Sequence, residues 1–271
     1  EPYPINDLDP VLRTHLIVEA MRRAYRDRAI YLGDPDFVEI PVEMLTSQFY
    51  ADGLRASIRP DRATPSSMLA GNDQIPEGTD TTHFSIIDAE GNMVAATLTV
   101  NTPFGSAFMP PGTGFVVNNE MDDFSAKAGE PNAYGLIGFA ANEIQPYKRP
   151  LSSMSPTFMI GDDKRAVIGT PGGSRIITMV LLGILDFMRG NEPESWVSLP
   201  RFHHQYEPDR ISTEPNAFTA EHVEALQALG HVVDVREGTW GNMHGAMWNV
   251  ETGKVSAGSD PRWPSGRAIV R

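Results

Sequence analysis

Thr81 stands where a stretch rich in Pro, Ser, Gly and Asp, residues 61–80, gives way to an alternating strand pattern. A threonine hydroxyl is a poor nucleophile until a base takes its proton, and a threonine at a new N-terminus can use its own α-amine as that base. The reference pKa of an α-amine is about 8, which is close to working pH and suits this role. Self-cleavage of the Asp80–Thr81 bond would require such a flexible segment before the threonine. An ordinary loop before a threonine-rich strand remains the alternative.

The residues that follow Thr81 predict an antiparallel hairpin. The segments "TTHFSII" and "MVAATLTVN" alternate in polarity and flank the five-residue turn "DAEGN". A turn centred on Glu90 places Thr99 opposite Thr81, with Asn101 two residues further along the same face. The other face is apolar and carries Phe84, Ile86, Val94, Ala96 and Leu98.

Gly172 and Gly173 lie in "GTPGGSR", between a predicted strand and a predicted helix. Adjacent glycines at a helix N-terminus expose backbone N–H groups, which suit a developing oxyanion. A tight strand-to-helix turn is the alternative. The segment lacks the GK[ST] ending of a phosphate loop and the G-x-G-x-x-G spacing, so it does not predict nucleotide binding.

Two polar clusters could bind a charged small molecule. "PLSSMSP" offers the hydroxyls of Ser152, Ser153 and Ser155, which could hold a carboxylate. It lacks the G-x-S-x-G frame of a serine hydrolase. "NNEMDDF" groups the carboxylates of Glu120, Asp122 and Asp123, which could hold an ammonium group. For each cluster a solvated turn is the alternative interpretation.

Composition excludes several classes of function. The chain has 271 residues, a formal net charge of −13 and no cysteine, so disulfides, thiolate metal sites and a cysteine nucleophile are absent. The acidic balance argues against a nucleic-acid partner, and no apolar run reaches the ~18 residues of a membrane span. The seven histidines show no metal-ligand spacing, so we interpret them as structural and predict no metal and no cofactor. Because residue 1 is Glu, we expect a piece of a longer chain.

The remaining periodicity predicts interleaved helices and strands. Helical spacing favours helices over residues 8–31, 42–58, 174–189 and 217–230. Alternating or apolar runs favour further strands over residues 115–119, 155–160, 165–170, 231–237 and 243–250. Hairpin connections between such elements indicate antiparallel sheets covered by helices.

The order and spacing of the quoted segments resemble the small subunit of γ-glutamyltranspeptidases. They are "TTHFSIIDAEGNMVAATLTVN", "NNEMDDFSAKAGEPNAYGL", "KRPLSSMSPT", "GTPGGSRIIT", "PRFHHQ" and "SDPR". The likeness runs from Thr81 almost to the C-terminus, and residues 8–58 resemble the end of that family's large subunit. It implies an α/β (α+β) fold, the four-layer αββα sandwich of N-terminal-nucleophile hydrolases, with two packed and mainly antiparallel sheets.

The resemblance also implies a division of the chain and a set of catalytic roles. Residues 1–80 would be the C-terminal part of the large subunit, ending in a flexible segment over 59–80. Residues 81–271 would be the small, catalytic subunit, and the two parts would form one structural domain. Thr81 would be the nucleophile, released by self-cleavage after Asp80, with the Thr99 hydroxyl beside it. The backbone N–H groups of Gly172 and Gly173 would form the oxyanion hole.

The implied substrate is a γ-glutamyl compound such as glutathione, whose γ-glutamyl group passes to an amino acid, a peptide or water. The residues implied to hold its α-ammonium group are Asn101, Glu120 and Asp123. Its α-carboxylate would be held by Ser152 and Ser153, and Tyr134 resembles the aromatic residue of a lid loop. The remainder of the large subunit is the implied partner, and a periplasmic or extracellular location is implied if the source is bacterial.

Two departures from the family pattern bear on this interpretation. Glu120 stands where some members have Gln, which adds negative charge around the ammonium group. Much of the usual large subunit is absent, including an arginine that pairs with the substrate carboxylate in the family. Two alternatives therefore stay open: a cephalosporin acylase of the same fold, which takes a glutaryl amide without an α-amine, and a truncated, non-catalytic remnant.

Overall fold

The computed structural model describes residues 4–69, 81–125, 139–264 and 266–271. The chain forms two compact units, each assembled from three stretches of sequence. The first unit comprises Glu1–Glu77, Met121–Ser152 and Phe202–Arg236, and the second comprises Gly78–Glu120, Ser153–Arg201 and Glu237–Arg271. Segments from both sides of residue 80 therefore contribute to the first unit.

Helices and strands are interleaved along the chain, as the sequence predicts. The helices are α1 (Pro10–Tyr31), α2 (Val42–Leu45), α3 (Gln48–Ala56), α4 (Ile176–Phe187), α5 (Pro193–Ser198) and α6 (Ala220–Ala228). The strands are β1 (Thr81–Ile87), β2 (Met93–Thr99), β3 (Thr157–Ile160), β4 (Lys164–Gly169), β5 (Phe202–His203), β6 (Ile211–Thr213), β7 (Val233–Val235), β8 (His244–Asn249) and β9 (Val255–Ser259).

Helix α1 of the first unit begins at Pro10, two residues after the predicted start, and ends at Tyr31 as predicted. The Asp9 carboxylate accepts hydrogen bonds from the backbone N–H groups of Val11 and Leu12, so it caps the helix. The apolar side chains of Leu16, Ile17, Met21 and Tyr25 are buried, and burial extends round the helix, because every residue over 14–19 is buried. In the same unit, β5 pairs with β6 in antiparallel fashion, and α6 connects β6 to the parallel strand β7.

The predicted single helix over residues 42–58 is wrong, because the structure has two helices there. The Thr46 hydroxyl donates to the carbonyl oxygen of Val42 at the end of α2. The Ser47 hydroxyl then accepts a hydrogen bond from the N–H of Tyr50 and caps α3. Hydroxyl side chains compete in this way with the backbone hydrogen bonds of a continuous helix.

The second unit contains two sheets. The hairpin β1–β2 is one sheet, and the other has the strand order β3-β4-β8-β9 with antiparallel pairing throughout. Helix α4 lies against the sheet through Gly183, which contacts Ile168 of β4, whereas His83 of β1 lies against the next residue, Gly169. Successive residues of a strand point to opposite faces. Helix and hairpin therefore cover opposite faces of the four-stranded sheet, with a core that includes Ile168, Met179, Trp196, Met243 and Met247.

The predicted register of the hairpin is confirmed from Thr81↔Thr99 through Ile86↔Val94. Its polar face packs towards the four-stranded sheet, where His83 is buried. Its apolar face points outward, and Phe84, Ile86 and Leu98 are exposed by 43%, 50% and 54%. About half of the surface of each of these side chains is therefore open to solvent.

Several strand assignments differ from the sequence analysis. Residues 115–119 form a loop, in which Val117 exchanges backbone hydrogen bonds with Ser106 and Phe108. Strands β5, β6 and β9 were not predicted. Strands β5 and β6 are only two and three residues long, and the sequence of β9, "VSAGS", consists mainly of small residues without an apolar period. Among the helices in the described ranges, none combines the length and the apolar character that crossing a membrane requires.

Candidate active site

Thr81 is the first residue of β1, and its hydroxyl donates a hydrogen bond to the Thr99 hydroxyl at 3.1 Å. The two residues are direct partners in the hairpin register. The Thr99 hydroxyl also accepts a hydrogen bond of 2.8 Å from the backbone N–H of Asn101. A backbone group thus orients Thr99, and Thr99 in turn orients the oxygen atom that would act as nucleophile.

Asn101 joins this pair to a neighbouring segment of the second unit. Its backbone has φ of 76°, a left-handed conformation that asparagine tolerates better than most residues. Its side chain is buried and donates to the carbonyl oxygen of Asn119 at 3.2 Å. The Asn119 side chain accepts a return hydrogen bond from the N–H of Thr102. The structure therefore brings Thr99 and Asn101 close to the segment that leads into Glu120.

His83 lies between the two sheets of the second unit. One ring nitrogen lies 2.8 Å from the Thr97 hydroxyl and the other 3.0 Å from the Ser85 hydroxyl. Burial, followed by the charge of His244, lowers the pKa of His83 to about 4. The imidazole is therefore neutral near pH 7, which agrees with its interpretation as a structural residue.

Gly172 and Gly173 follow β4 and begin the turn that leads into α4. Gly172 has φ of 142°, and a methyl group on it would lie 2.5 Å from Cε of Met179. Glycine is required here for both reasons. The His83 ring is equally close to Gly169, since a methyl group there would lie 2.2 Å from its Cε1. The contact places β1, which begins at Thr81, beside β4, the strand that precedes the glycine turn.

Asp123 and Ser152 belong to the first unit, and a side chain that the sequence analysis missed connects their segments. The side-chain amide of Asn142 donates to the carbonyl oxygen of Asp123 at 2.7 Å. Its side-chain oxygen accepts from the N–H of Leu151, the residue before Ser152, at 3.0 Å. The "FAANEI" segment gave no pattern that identifies Asn142, because both of its partners are backbone atoms.

The other predicted site residues are distributed as follows. Ser153 lies in the second unit with Glu120, and its carbonyl oxygen accepts a hydrogen bond from the Ser155 hydroxyl. Tyr134 and Asp80 lie outside the described residues. Their assignments as lid residue and cleavage position stay predictions.

Within the described ranges, His15, Glu19 and His231 form one buried group whose atoms are close enough to hold a metal ion. Those atoms are already engaged, since His15 lies 2.7 Å from His231 and Glu19 forms an ion pair with Arg23 at 2.7 Å. Burial acts to raise the pKa of Glu19, but hydrogen bonds outweigh it and the net pKa is lowered. A second guanidinium, on Arg22, also lies 3.4 Å from Glu19 and would repel a cation. We interpret the group as structural.

Comparison with known proteins gives one consistent family. The family model described as gamma-glutamyltranspeptidase matches residues 4–270. The glutathione hydrolase proenzyme of Escherichia coli strain K12 is 43% identical over 250 residues, which cover 91% of this chain and 43% of that protein. The chain thus spans less than half the length of this curated relative.

Solved structures agree with this result. A γ-glutamyltranspeptidase of Helicobacter pylori has a TM-score of 0.64 and 41% identity, covering 67% of this chain and 100% of that chain. A cephalosporin acylase from Bacillus halodurans has a TM-score of 0.77 at 26% identity, covering 94% of this chain and 44% of that chain. Together with the mainly antiparallel sheets and interleaved helices, these likenesses confirm the predicted fold class.

Proposed function

Because this chain belongs to the γ-glutamyltranspeptidase family, we propose that it supplies the nucleophile of an enzyme acting on γ-glutamyl compounds such as glutathione. The γ-glutamyl group is transferred to an amino acid, a peptide or water. The observation that carries the proposal is the Thr81 hydroxyl, held by Thr99 at the first residue of a strand. No cofactor takes part in this reaction.

The proposed reaction has two stages. The Thr81 oxygen attacks the γ-carbonyl carbon of the donor, and the hydroxyl proton passes to the α-amine of Thr81. The tetrahedral intermediate collapses, the amide C–N bond breaks, and the leaving amine takes that proton. A γ-glutamyl ester on Thr81 remains. Water or an amine then attacks the ester, and its proton returns to the Thr81 oxygen, which regenerates the enzyme.

Two elements of the second unit support these steps. The Thr99 hydroxyl orients Thr81 before the attack. The N–H groups of Gly172 and Gly173, in the turn before α4, stabilise the negative charge that develops on the carbonyl oxygen. Such preorganised donors act without reorganisation during the reaction, so they stabilise the transition state more than the ground state.

Donor recognition is assigned to the polar residues that the sequence analysis singled out. The proposed ammonium ligands are Asn101, Glu120 and Asp123, the proposed carboxylate ligands are Ser152 and Ser153, and Tyr134 is the proposed lid residue. Carboxylates suit an ammonium group because hydrogen bonds between ionised groups are the strongest that a small polar ligand makes. The acidic cluster favours a donor with a free α-amine over a glutaryl compound.

We propose the remainder of the large subunit as the partner of this chain. Residues 1–80 form the end of the large subunit in this proposal, and residues 81–271 form the small subunit. The outward apolar face of β1–β2 supports it, since apolar patches of this kind mark interfaces. So does a groove of about 690 Å³ along α1, α2 and α3 with a mainly apolar lining. A periplasmic or extracellular location in a bacterial source belongs to the same proposal and is checked by cell fractionation.

The test is turnover by the full-length protein from the parent gene, with a γ-glutamyl anilide and a glutaryl anilide as donors. We expect kcat/KM for the γ-glutamyl donor to exceed that for the glutaryl donor by more than about tenfold. A site that binds an ammonium group would leave its polar groups unpaired when the glutaryl donor, which lacks that group, is bound. Preference for the glutaryl donor would support the acylase alternative, which relatives at 43% identity do not favour. Turnover of neither donor, without self-cleavage, would support the non-catalytic remnant.

Thr99→Ala should lower kcat/KM by roughly 5- to 150-fold and slow self-cleavage, which corresponds to one lost hydrogen bond of about 1–3 kcal/mol. The sheet should persist, because Thr99 contributes a hydroxyl and no core packing. The matched control is Thr113→Ala, which removes a hydroxyl bonded to Pro110 in an exposed turn. Steady-state kinetics of both purified variants measure the difference. Unchanged kinetics in Thr99→Ala would contradict the role of the Thr81–Thr99 contact.

A further inference from the structure

Asn142 is a buried side chain that satisfies a hydrogen-bond donor and an acceptor from two different backbone segments. It is 5% exposed, its Nδ2 donates to the Asp123 carbonyl oxygen at 2.7 Å, and its Oδ1 accepts from the Leu151 N–H at 3.0 Å. Its own backbone carbonyl accepts a hydrogen bond of 2.9 Å from Ser125. Both segments are therefore attached to one residue.

We propose that Asn142 is a positioning residue for donor recognition, which fixes the spacing between the Asp123 segment and the Ser152 segment. The inference rests on the proposed function, in which Asp123 holds the α-ammonium and Ser152 the α-carboxylate of the donor. Those two groups are attached to the same carbon atom of the substrate. Their protein ligands must therefore keep a fixed separation, to which small displacements are costly.

The chemistry of the side chain supports this role. A side-chain amide presents an NH2 donor group and a carbonyl acceptor in one plane, and here each group forms one of the two hydrogen bonds. An aspartate at this position would place a negative oxygen against the Asp123 carbonyl, and a leucine would leave two buried backbone groups without partners. Replacing Asn142 should therefore release the two segments from each other without disturbing the apolar core.

A turn over residues 33–37 contacts the segment that carries Asn142 at two positions, residues 141 and 149. The Asp34 carboxylate accepts hydrogen bonds from the backbone N–H of Arg149 at 2.8 Å and from its Nε at 3.0 Å. Gly33 packs so closely on Ala141 that a methyl group would lie 2.2 Å from its carbonyl oxygen. Anchoring at residues 141 and 149 limits how far the segment can move, so the amide of Asn142 sets a defined position.

The test compares Asn142→Asp and Asn142→Leu with the parent enzyme in full-length, self-cleaved form. We expect KM for a γ-glutamyl anilide to rise roughly 5- to 100-fold while kcat changes less than about threefold, because the ammonium is bound in ground and transition states alike. The preference for the γ-glutamyl over the glutaryl anilide should fall by a similar factor. Asn249→Leu is the matched control, since Asn249 also joins two segments, through Asp163, but in the second unit.

Arg149→Ala provides a second variant in case Asn142 variants fail to fold, because the Arg149 side chain is 64% exposed. It should give the same change in KM and donor preference, at a smaller size. Asp123→Asn is measured in parallel to separate the possible failures. If Asp123→Asn raises KM while folded Asn142 and Arg149 variants leave it unchanged, the positioning role is wrong and the proposed function stands. If Asp123→Asn also leaves KM unchanged, the donor assignment itself is wrong.

Discussion

Thr81→Ala should leave the full-length protein as one uncleaved chain with no measurable γ-glutamyl turnover. In the proposed mechanism the Thr81 oxygen has two functions: it attacks the Asp80 carbonyl in an N→O acyl shift, and later it attacks the donor. Alanine removes the oxygen from both reactions. Loss of a nucleophile lowers kcat on the order of 10⁴-fold or more, which places the variant at the detection limit of an anilide assay.

Intact-mass analysis after incubation of the purified protein follows self-cleavage separately from donor turnover. The parent protein should convert into a fragment that ends at Asp80 and a fragment that begins at Thr81, whereas Thr81→Ala should keep a single mass. Thr82→Ala is the matched control, because Thr82 is the next residue of β1, is exposed, and lies on the outward face of the hairpin. It should cleave and turn over normally. A parent enzyme that is active and never yields an N-terminal Thr81 would contradict the mechanism.

The hairpin that carries Thr81 was predictable residue by residue because its information is local. The period of two in each strand and the five-residue turn leave one register that keeps the apolar and polar faces separate, and the structure has that register. The alternating pattern did not indicate which face of the hairpin packs on the four-stranded sheet and which face points outward. It depends on which other elements pack against the hairpin, and His83 and Gly169 decide this through contacts between sheets.

The position of Asn142 illustrates a different limit. Its hydrogen-bond partners are backbone atoms of Asp123 and Leu151, at separations of 19 and 9 residues. Backbone groups are the same at every position, so no residue pattern indicates that these atoms meet. The break between α2 and α3 had a local signal in the adjacent hydroxyls of Thr46 and Ser47, but the apolar spacing over 42–58 obscured it.

Asp260→Asn should lower the stability of the second unit by about 3–5 kcal/mol, the typical loss when one partner of a buried ion pair is removed. Asp260 lies in the "SDPR" segment, is 2% exposed and forms an ion pair with Arg201 of the "PRF" segment, which is 1% exposed. Its carboxylate also accepts hydrogen bonds from the N–H groups of Met243 at 2.9 Å and Arg262 at 3.0 Å.

The Asp260→Asn variant removes the negative charge of the side chain and nearly preserves its shape. Burial acts to raise the pKa of Asp260, but Arg201 and the backbone hydrogen bonds outweigh burial and lower the pKa overall. The carboxylate is therefore ionised near neutral pH, and its contribution to stability would be lost only as the pH falls below the unfolded value of about 3.9. Asparagine nearly preserves the volume but removes the negative charge that pairs with the buried guanidinium of Arg201.

Thermal unfolding at pH 7 measures the effect. A loss of this size should lower Tm by roughly 6–20 °C, at about 2–4 °C per kcal/mol for a chain of this length. Glu192→Gln is the matched control, because it neutralises a carboxylate whose ion pair with Lys254 has side chains 45% and 61% exposed. Exposed pairs contribute about 0–1 kcal/mol, so Tm should fall by no more than ~4 °C. If Tm fell equally in the two variants, burial of the Arg201–Asp260 pair would not be the reason that its disruption is costly.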